Sequence, residues 1–566
     1  MKHIVFILIA LLCYSCKTDT VANKRQINSR GLIAKEAMVV SAREEASKIG
    51  IEILKKGGNA FDAMMATELA LAVCYPYAGN LGGGGFLVYR LADGTKGALD
   101  YREKAPLAAS KNMYLDENGE VIKDLSTVGS MAVGIPGTVA GIFKAQERFG
   151  QLDIKTILSP VIELARKGYV VTKKQEQRLA AYDSIFKTVN GKEILYNKNL
   201  NAGSTIQNQK LAETLERLAL NGKDEFYKGE TAKILVNYLQ SKGSIITLED
   251  LNKYDAKWRD PISFDYDDLT ITSMPPPSSG GICLAQLMKM IEPFDLNDYG
   301  HNSLKTIQVL AEAEKRAYAD RSFYLGDPDF VDIPVETLIS DVYLNERMES
   351  FSFIEPTPVD SISHGSIVGY ESEETTHYSI VDQFGNAIAV TTTINGGYGS
   401  KLYVDELGFF LNNEMDDFSS KPGEPNYYGL LGAEANSIAP EKRMLSSMTP
   451  TIVEKDGDFY MSVGTPGGST IITSVLQTIL NVHEFGLTMQ EAVNAPRFHN
   501  QWLPDEIRME PNGFDENTIK KLEALGYHLN FKRSPVIGKV DGILILEDGT
   551  LEGGADNRGD DTAVGF

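Results

Sequence analysis

Cysteine is scarce in this chain: four occur in 566 residues, and two of them, Cys13 and Cys16, close an apolar leader. The other two, Cys74 and Cys283, stand far apart in apolar contexts. That excludes a disulfide framework and reads as two small buried hydrophobes. Histidine is also scarce, with seven residues, none at His-x-x-x-His spacing, and no Cys-x-x-Cys follows the leader. No metal site is legible from such a pattern. Basic residues are in deficit: 55 Lys and Arg face 77 Asp and Glu, a formal net charge of -22. Phosphate backbones demand a dense basic surface, so nucleic acid is excluded as a partner. A small anion is not excluded, because one buried Arg acts locally against the global field. Beyond the leader no apolar run is long enough to cross a bilayer.

What is present begins with that leader. Ile4 to Leu12 is an unbroken apolar run of nine residues after the weakly basic Met1-Lys2-His3. It is too short to span a membrane and reads as a signal peptide over residues 1–16. Ser15-Cys16 resembles a lipobox, with Cys13 where Leu is usual three residues earlier. The expectation is an exported protein, periplasmic or anchored in the outer membrane by a lipid on Cys16, with Lys17 to Asn28 as a polar tether. The remainder is ordinary for a globular protein, at 43% hydrophobic and 23% charged. Its length predicts two to four core units or one large layered domain.

Along the chain, Met38-Val39-Val40 reads as a strand. Glu44 to Lys56 has helical period and ends at Gly57-Gly58, and Asn59 caps a second helix to about Val73. The run Gly79-Asn80-Leu81-Gly82-Gly83-Gly84-Gly85 lacks the Gly-Lys-Ser/Thr ending of a phosphate loop, so it predicts close backbone packing. A helix follows Ile135-Pro136-Gly137, residues 155–255 are mostly helical, and Thr306 to Phe323 is a helix. Phe351 to Thr376 shows no period. Regular alternation then starts abruptly, with His377–Val381 and Ala387–Ile394 forming a hairpin around Gln383-Phe384-Gly385-Asn386. Two more strand pairs flank a helix from Thr470 to Phe485.

Thr375 therefore stands at the head of a strand that emerges from an irregular stretch. Taken alone, Thr375-Thr376 is two β-branched residues opening a strand. A threonine hydroxyl is a poor nucleophile near pH 7 unless a base adjoins it, and its own α-amine serves once the chain is cut just before it. That amine has a pKa of about 8.

The surrounding motifs carry a resemblance. Glu373-Glu374-Thr375-Thr376-His377-Tyr378-Ser379 is similar to the processing site of γ-glutamyltransferases, which are N-terminal-nucleophile hydrolases. Other stretches resemble the same family in order: Leu54 to Ala60, Gly79 to Phe86, Asp100-Tyr101-Arg102-Glu103-Lys104-Ala105-Pro106, Leu411 to Phe418, Leu445 to Pro450, Gly464 to Ser469 and Asn494 to Arg497. The resemblance implies an α+β fold, a four-layer αββα sandwich in one large domain. It implies autocleavage between Glu374 and Thr375 into a large subunit, 17–374, and a small subunit, 375–566. It implies transfer or hydrolysis of the γ-glutamyl group of glutathione, with water, an amino acid or a dipeptide as acceptor, and no cofactor.

By the same resemblance Thr375 is the nucleophile, Thr393 its hydrogen-bonding neighbour, and Gly467-Gly468 the donors to the oxyanion. Arg102, with Ser446 and Ser447, meets the substrate α-carboxylate, while Asn395, Glu414 and Asp417 meet its α-ammonium. Tyr428 gates the site from a lid loop around Pro422 to Gly429. Without the resemblance these residues read more plainly, as strand threonines, a turn before a helix, a surface ion pair and a solvated acidic turn. Two stretches depart from many relatives: Glu414 stands where several carry Gln, and Asn395-Gly396-Gly397-Tyr398-Gly399 lacks hydroxyl residues after the Asn. Alternatives are an acylase for other side-chain amides, a poly-γ-glutamate-cutting enzyme, and an uncleaved surface lipoprotein that only binds.

The leader yields a first prediction. Cys16→Ala should move the exported protein from the membrane fraction to the soluble one. A wild type already wholly soluble after export contradicts the lipid anchor.

Overall fold

In a computed structural model, residues 29–362, 375–421, 433–533 and 535–566 are described. Fourteen strands build two seven-stranded sheets. In chain order they are β1 (Leu32–Ala34), β2 (Met38–Ser41), β3 (Gly84–Arg90), β4 (Lys96–Asp100), β5 (Lys257–Arg259), β6 (Ile262–Tyr266), β7 (Leu269–Ser273), β8 (Thr376–Val381), β9 (Ala387–Thr393), β10 (Thr451–Lys455), β11 (Asp458–Gly464), β12 (Asp541–Ile545), β13 (Leu551–Ala555) and β14 (Thr562–Gly565). One sheet runs β14-β2-β8-β9-β3-β4-β5 and the other β1-β13-β12-β11-β10-β7-β6. The helices that position the site are α1 (Glu44–Lys55), α2 (Ala60–Cys74), α3 (Thr138–Phe149), α4 (Lys173–Asn190), α5 (Gly280–Ile291), α6 (Leu304–Tyr324) and α7 (Thr470–His483).

The layering follows from strand alternation. Val39, Leu87, Tyr89, Ile380, Ile388 and Val390 share one core with α1, α2 and α3. Their strand neighbours Met38, Val40, Phe86, Val88, Val381 and Ala389 share a second core with Ile452, Ile543 and Leu551 of the other sheet. On that sheet's far face, Val453, Met461 and Val463 pack with α5, α6 and α7. Helices, sheet, sheet and helices make four layers, the αββα sandwich expected. Both faces of both sheets are covered, so the central strands are buried along their length.

Local signals explain the entry to this fold. Asn59 accepts from the backbone N–H of Phe61 and Asp62, and Asp62 returns a bond to Asn59 N, a complete capping box for α2. The glycine run packs closely, as expected. A Cβ on Gly83 would lie 2.0 Å from Thr393 O, and one on Gly84 would lie 2.6 Å from Glu103 Oε2. Gly83 O also accepts from Gly137 N at 2.7 Å and Thr138 N at 3.0 Å, tying the run to the start of α3.

Several strands are silent in the sequence reading: β1, β4, β5, β6, β7 and β14. β6 reads Ile-Ser-Phe-Asp-Tyr at a sheet edge, and Ser263 and Asp265 are exposed while Phe264 and Tyr266 are buried, so its period-2 pattern is present in the sequence and was passed over. Cys74 and Cys283 are free and fully buried. Among the described residues no helix is long and apolar enough to cross a membrane. Cys16, Glu374 and the lid loop with Tyr428 lie outside the described residues.

Candidate active site

The hairpin of β8 and β9 places the first pair of residues. Its register sets Thr376 against Thr392, so Thr375, one step earlier, faces the end of β9 at Thr393. Both are nearly buried. Thr393 Oγ1 accepts from Asn395 N at 2.7 Å, which turns the chain sharply after the strand. Asn395 takes the left-handed conformation, φ 68°, a region Asn tolerates better than most residues. Its Nδ2 donates to Asn413 O at 3.0 Å.

The acidic residues arrive on the next segment. Asn412 Nδ2 donates to Gly82 O at 2.7 Å and Gly134 O at 2.9 Å, and its Oδ1 accepts from Glu414 N at 3.0 Å. This anchors one turn of 3-10 helix, Glu414–Asp417, beside the glycine run. Asp416 turns away to accept from Ser126 Oγ at 2.5 Å. Glu414 and Asp417 turn inward onto Arg102, whose Nη1 donates to Glu414 and whose Nη2 donates to Asp417. Arg102 follows β4 and is 1% exposed. Its Nε also reaches Met444 O at 3.3 Å, and its Nη2 reaches Leu445 O at 3.3 Å. The surface ion pair that Arg102 alone suggests is thus a buried, forked one.

Ser446 and Ser447 follow directly. Ser446 Oγ accepts from Met448 N at 3.2 Å, and Ser447 Oγ accepts from Arg321 Nη2 at 3.0 Å. Gly467 and Gly468 have φ of 140° and 55°, both in the glycine-favouring region, and sit just before α7. Thr470 N donates to Gly467 O at 3.0 Å, closing the first turn of that helix. One cavity is lined by Thr375, Thr393, Asn395, Glu414, Asp417 and Arg102, together with Ser446, Ser447 and Gly468. Every described residue expected at the site is brought to this cavity, with Gly467 one residue behind its wall.

Sequence reasoning missed Arg321 and Asn436. Arg321, on α6, lines the cavity and donates from Nε to Ser279 Oγ at 2.9 Å. Its signal was a helix with charges on every face, and from Glu312 to Arg321 those charges are buried. Asn436 Nδ2 donates to Asp417 O at 2.7 Å, and its Oδ1 accepts from Leu445 N at 2.9 Å, bridging the two walls. Elsewhere, Asp267, Asp268 and His483 come within reach of a common cation on the surface, where Lys455 already bonds Asp268 at 2.8 Å.

Charge balance shapes the site. Arg102 meets three carboxyl groups, Glu414, Asp417 and, at 3.6 Å, Glu103. Burial works against the guanidinium, yet Glu414, Asp417 and Glu103 hold its pKa above the ordinary value. Burial pushes Glu414 up to about 8 against the pull of Arg102. Burial, then the charge of Glu414, pushes Glu103 well above the carboxylate range. Both oxygens of Glu103 and Oε2 of Glu414 are buried acceptors without a donor. One proton held between the two carboxyl groups removes one of the three negative charges around Arg102 and pairs one orphaned oxygen of each group. His377, on β8 two residues after Thr375, is pushed down to about 3 by burial and stays neutral between Thr391 Oγ1 at 2.9 Å and Ser379 Oγ at 3.1 Å.

Comparisons with known proteins show the family. The family model for gamma-glutamyltranspeptidase matches residues 46–566. This chain belongs to the gamma-glutamyltranspeptidase family. It is 46% identical over 538 residues, 94% of this chain and 92% of the other, to the glutathione hydrolase proenzyme of Escherichia coli K12. It is 35% identical over 537 residues, 93% of each chain, to the acylase ACY 1 proenzyme of Pseudomonas sp. strain SE83. The crystal structure of a cephalosporin acylase from Bacillus halodurans superimposes with a TM-score of 0.83 at 24% identity, covering 97% of this chain and 99% of that one, and so shares the fold. The protein is an enzyme of this family.

The shared proton has a measurable consequence. In the folded state the Glu103–Glu414 pair keeps a proton that free carboxyl groups lose near their ordinary value of 4.5. The folded form then binds more protons than the unfolded one, so the pair's stabilising contribution falls as pH rises through about 8. Glu103→Gln keeps a neutral donor toward Glu414 and should make the loss of thermal stability between pH 5 and pH 8 shallower than in wild type. Identical slopes in the two proteins contradict the shared proton.

Proposed function

We propose that the chain cuts itself between Glu374 and Thr375. The products are a large subunit, 17–374, and a small subunit, 375–566. Thr375 then carries the γ-glutamyl group of glutathione or a related amide to water or to an amino acid or dipeptide acceptor. The observation that carries this reading is the single cavity in which Thr375 and Thr393 face Arg102, Glu414 and Asp417. In the first reaction the Thr375 hydroxyl attacks the Glu374 carbonyl, the peptide becomes an ester, and water releases the small subunit with a free α-amine. In the second, that amine accepts the hydroxyl proton as Thr375 attacks the γ-amide, and returns it to the leaving amine. Water or an acceptor amine then takes the acyl group. Backbone N–H groups of Gly467 and Gly468, before α7, stabilise the oxyanion, where the helix N-terminus adds positive potential. The two subunits stay together, because β8 of the small one pairs with β2 of the large one along Tyr378 to Val381.

Substrate recognition is an exchange of charges. A γ-glutamyl head carries a carboxylate and an ammonium. Glu414 and Asp417 already occupy the fork of Arg102, so the incoming ammonium takes over the acids while the incoming carboxylate takes over Arg102, with Ser446, Ser447 and the cation of Arg321 close by. No buried charge is left unpaired by the swap, which avoids the penalty of stranding an ion. Lipid on Cys16 holds the enzyme at the membrane after export. An acylase of uncharged side chains is the competing reading, supported by the relation to the ACY 1 acylase. Such a substrate has no charges to exchange with Arg102 and the acids, which stay paired with one another and give it no recognition, and this favours the γ-glutamyl reading.

Arg102→Ala should lower kcat/KM for glutathione by about 2–5 kcal/mol of transition-state stabilisation, as for truncating one partner of a buried charge pair. Arg102→Lys keeps the charge without the fork and should also weaken binding. The deciding comparison uses glutathione and an analogue lacking the α-carboxylate. Wild type should prefer glutathione strongly and Arg102→Ala should lose most of that preference. A mutant that discriminates as well as wild type contradicts the assignment, and a wild type that favours uncharged acyl amides supports the acylase.

A further inference from the structure

The loop after Thr393 is held in an unusual backbone. Asn395, Tyr398, Gly399 and Lys401 have φ of 68°, 58°, 53° and 68°. A lysine gains nothing from the left-handed region by itself, so its surroundings impose that conformation. Lys401 is 7% exposed, and its side chain folds back over its own loop. Nζ donates to Gly397 O at 2.6 Å and to Gly399 O at 2.5 Å, and lies 5.2 Å from the centre of the Tyr182 ring. Tyr182 belongs to α4, and Lys401 O accepts from Asn190 Nδ2 at the end of the same helix, at 2.9 Å. A Cβ on Gly396 would sit 3.6 Å from Nζ, so a larger side chain there grows toward the ammonium. The glycines that replace hydroxyl residues in this loop leave the space that the lysine fills.

The opposite side of the loop faces the cavity. Asn395 N bonds Thr393 Oγ1, Asn395 Nδ2 bonds Asn413 O, and Gly396 N bonds Asn413 Oδ1 at 2.9 Å. The segment is therefore pinned both by Asn413 and by the Lys401 ammonium. We infer that Lys401 is a positioning residue, whose buried ammonium gathers the carbonyls of Gly397 and Gly399 so that Asn395 is presented to the α-ammonium of the substrate. The inference rests on the γ-glutamyl reading. It also makes the clamp cross the two proposed subunits, from Lys401 to α4.

Two variants test it. Lys401→Met keeps a stem of similar length without the charge. Lys401→Gly relieves the left-handed conformation and removes the clamp. Turnover of a γ-glutamyl anilide by wild type is measured first, so that failure of the γ-glutamyl reading is seen separately from failure of the clamp. Both variants should raise KM for the anilide roughly ten-fold, the scale of a lost charge-assisted hydrogen bond, with kcat changed little, because uniform binding is what is lost. Both should also lose selectivity against an analogue lacking the α-amine, and Lys401→Gly should do so while melting no lower than Lys401→Met. Unchanged KM and selectivity in both variants, or a lower melting temperature with kinetics intact, overturns the inference.

Discussion

The register between Thr376–Val381 and Ala387–Thr393 governs where the reacting groups lie. Strand β8 is buried on both faces and paired on both edges, to β2 and to β9. A slip of one residue would send Ile380 and Tyr378 from the helix-facing core into the space between the sheets, so the register is strongly specified. Once it is set, Thr375 faces Thr393, and the loop that must follow Thr393 carries Asn395. The polar groups between the sheets reinforce it: Ser379 Oγ meets Ser462 Oγ of the other sheet at 2.9 Å, next to a neutral His377. A Cβ on Gly464 would lie 2.3 Å from the His377 ring, so glycine there lets the two sheets close on the strand that Thr375 heads.

Electrostatics supplies the second layer of the account. A guanidinium held among carboxyl groups away from water is tolerated only with its hydrogen bonds made, and here Glu414, Asp417 and two backbone carbonyls make them. The same arrangement is a template for a zwitterion, since it keeps opposite charges side by side in a cavity that also contains Thr375. Arg321 extends the positive side through Ser447, and Asn436 ties Asp417 to the wall that carries Leu445. Specificity and packing are thus one network, and a change at any member is felt at the others.

Much of this was legible in the sequence, and the reasons differ by element. The hairpin and the capped helix α2 announce themselves through local pattern, with alternation in one and Asn59 with Asp62 in the other. Close packing at Gly83 and Gly84 followed from the absence of a phosphate-loop ending. Arg102, Glu414 and Asp417 were found only through the family's motifs, because an Arg between Tyr101 and Glu103 looks like any surface ion pair until long-range contacts join it to acids some three hundred positions later. Arg321 escaped although its helix carries charges on every face, because that pattern marks the helix as buried among polar groups without singling out the residue that reaches the cavity. The edge strand β14 escaped because its four residues show no alternation in burial and its pairing is supplied by the distant Met38–Ser41, whereas β6 does alternate and was overlooked. Lys401 escaped for a related reason: positive φ is expected of glycine, and nothing local marks a lysine that takes its place.

The central claim is that Thr375, freed as a chain terminus, is the atom-bearing nucleophile. The most direct test is mass spectrometry of purified protein mixed with glutathione and quenched in acid within the first turnovers. The account predicts two chains, the smaller beginning at Thr375, and a γ-glutamyl adduct on that terminal residue which disappears on longer incubation. A single full-length chain, a different first residue, or an adduct elsewhere would contradict it.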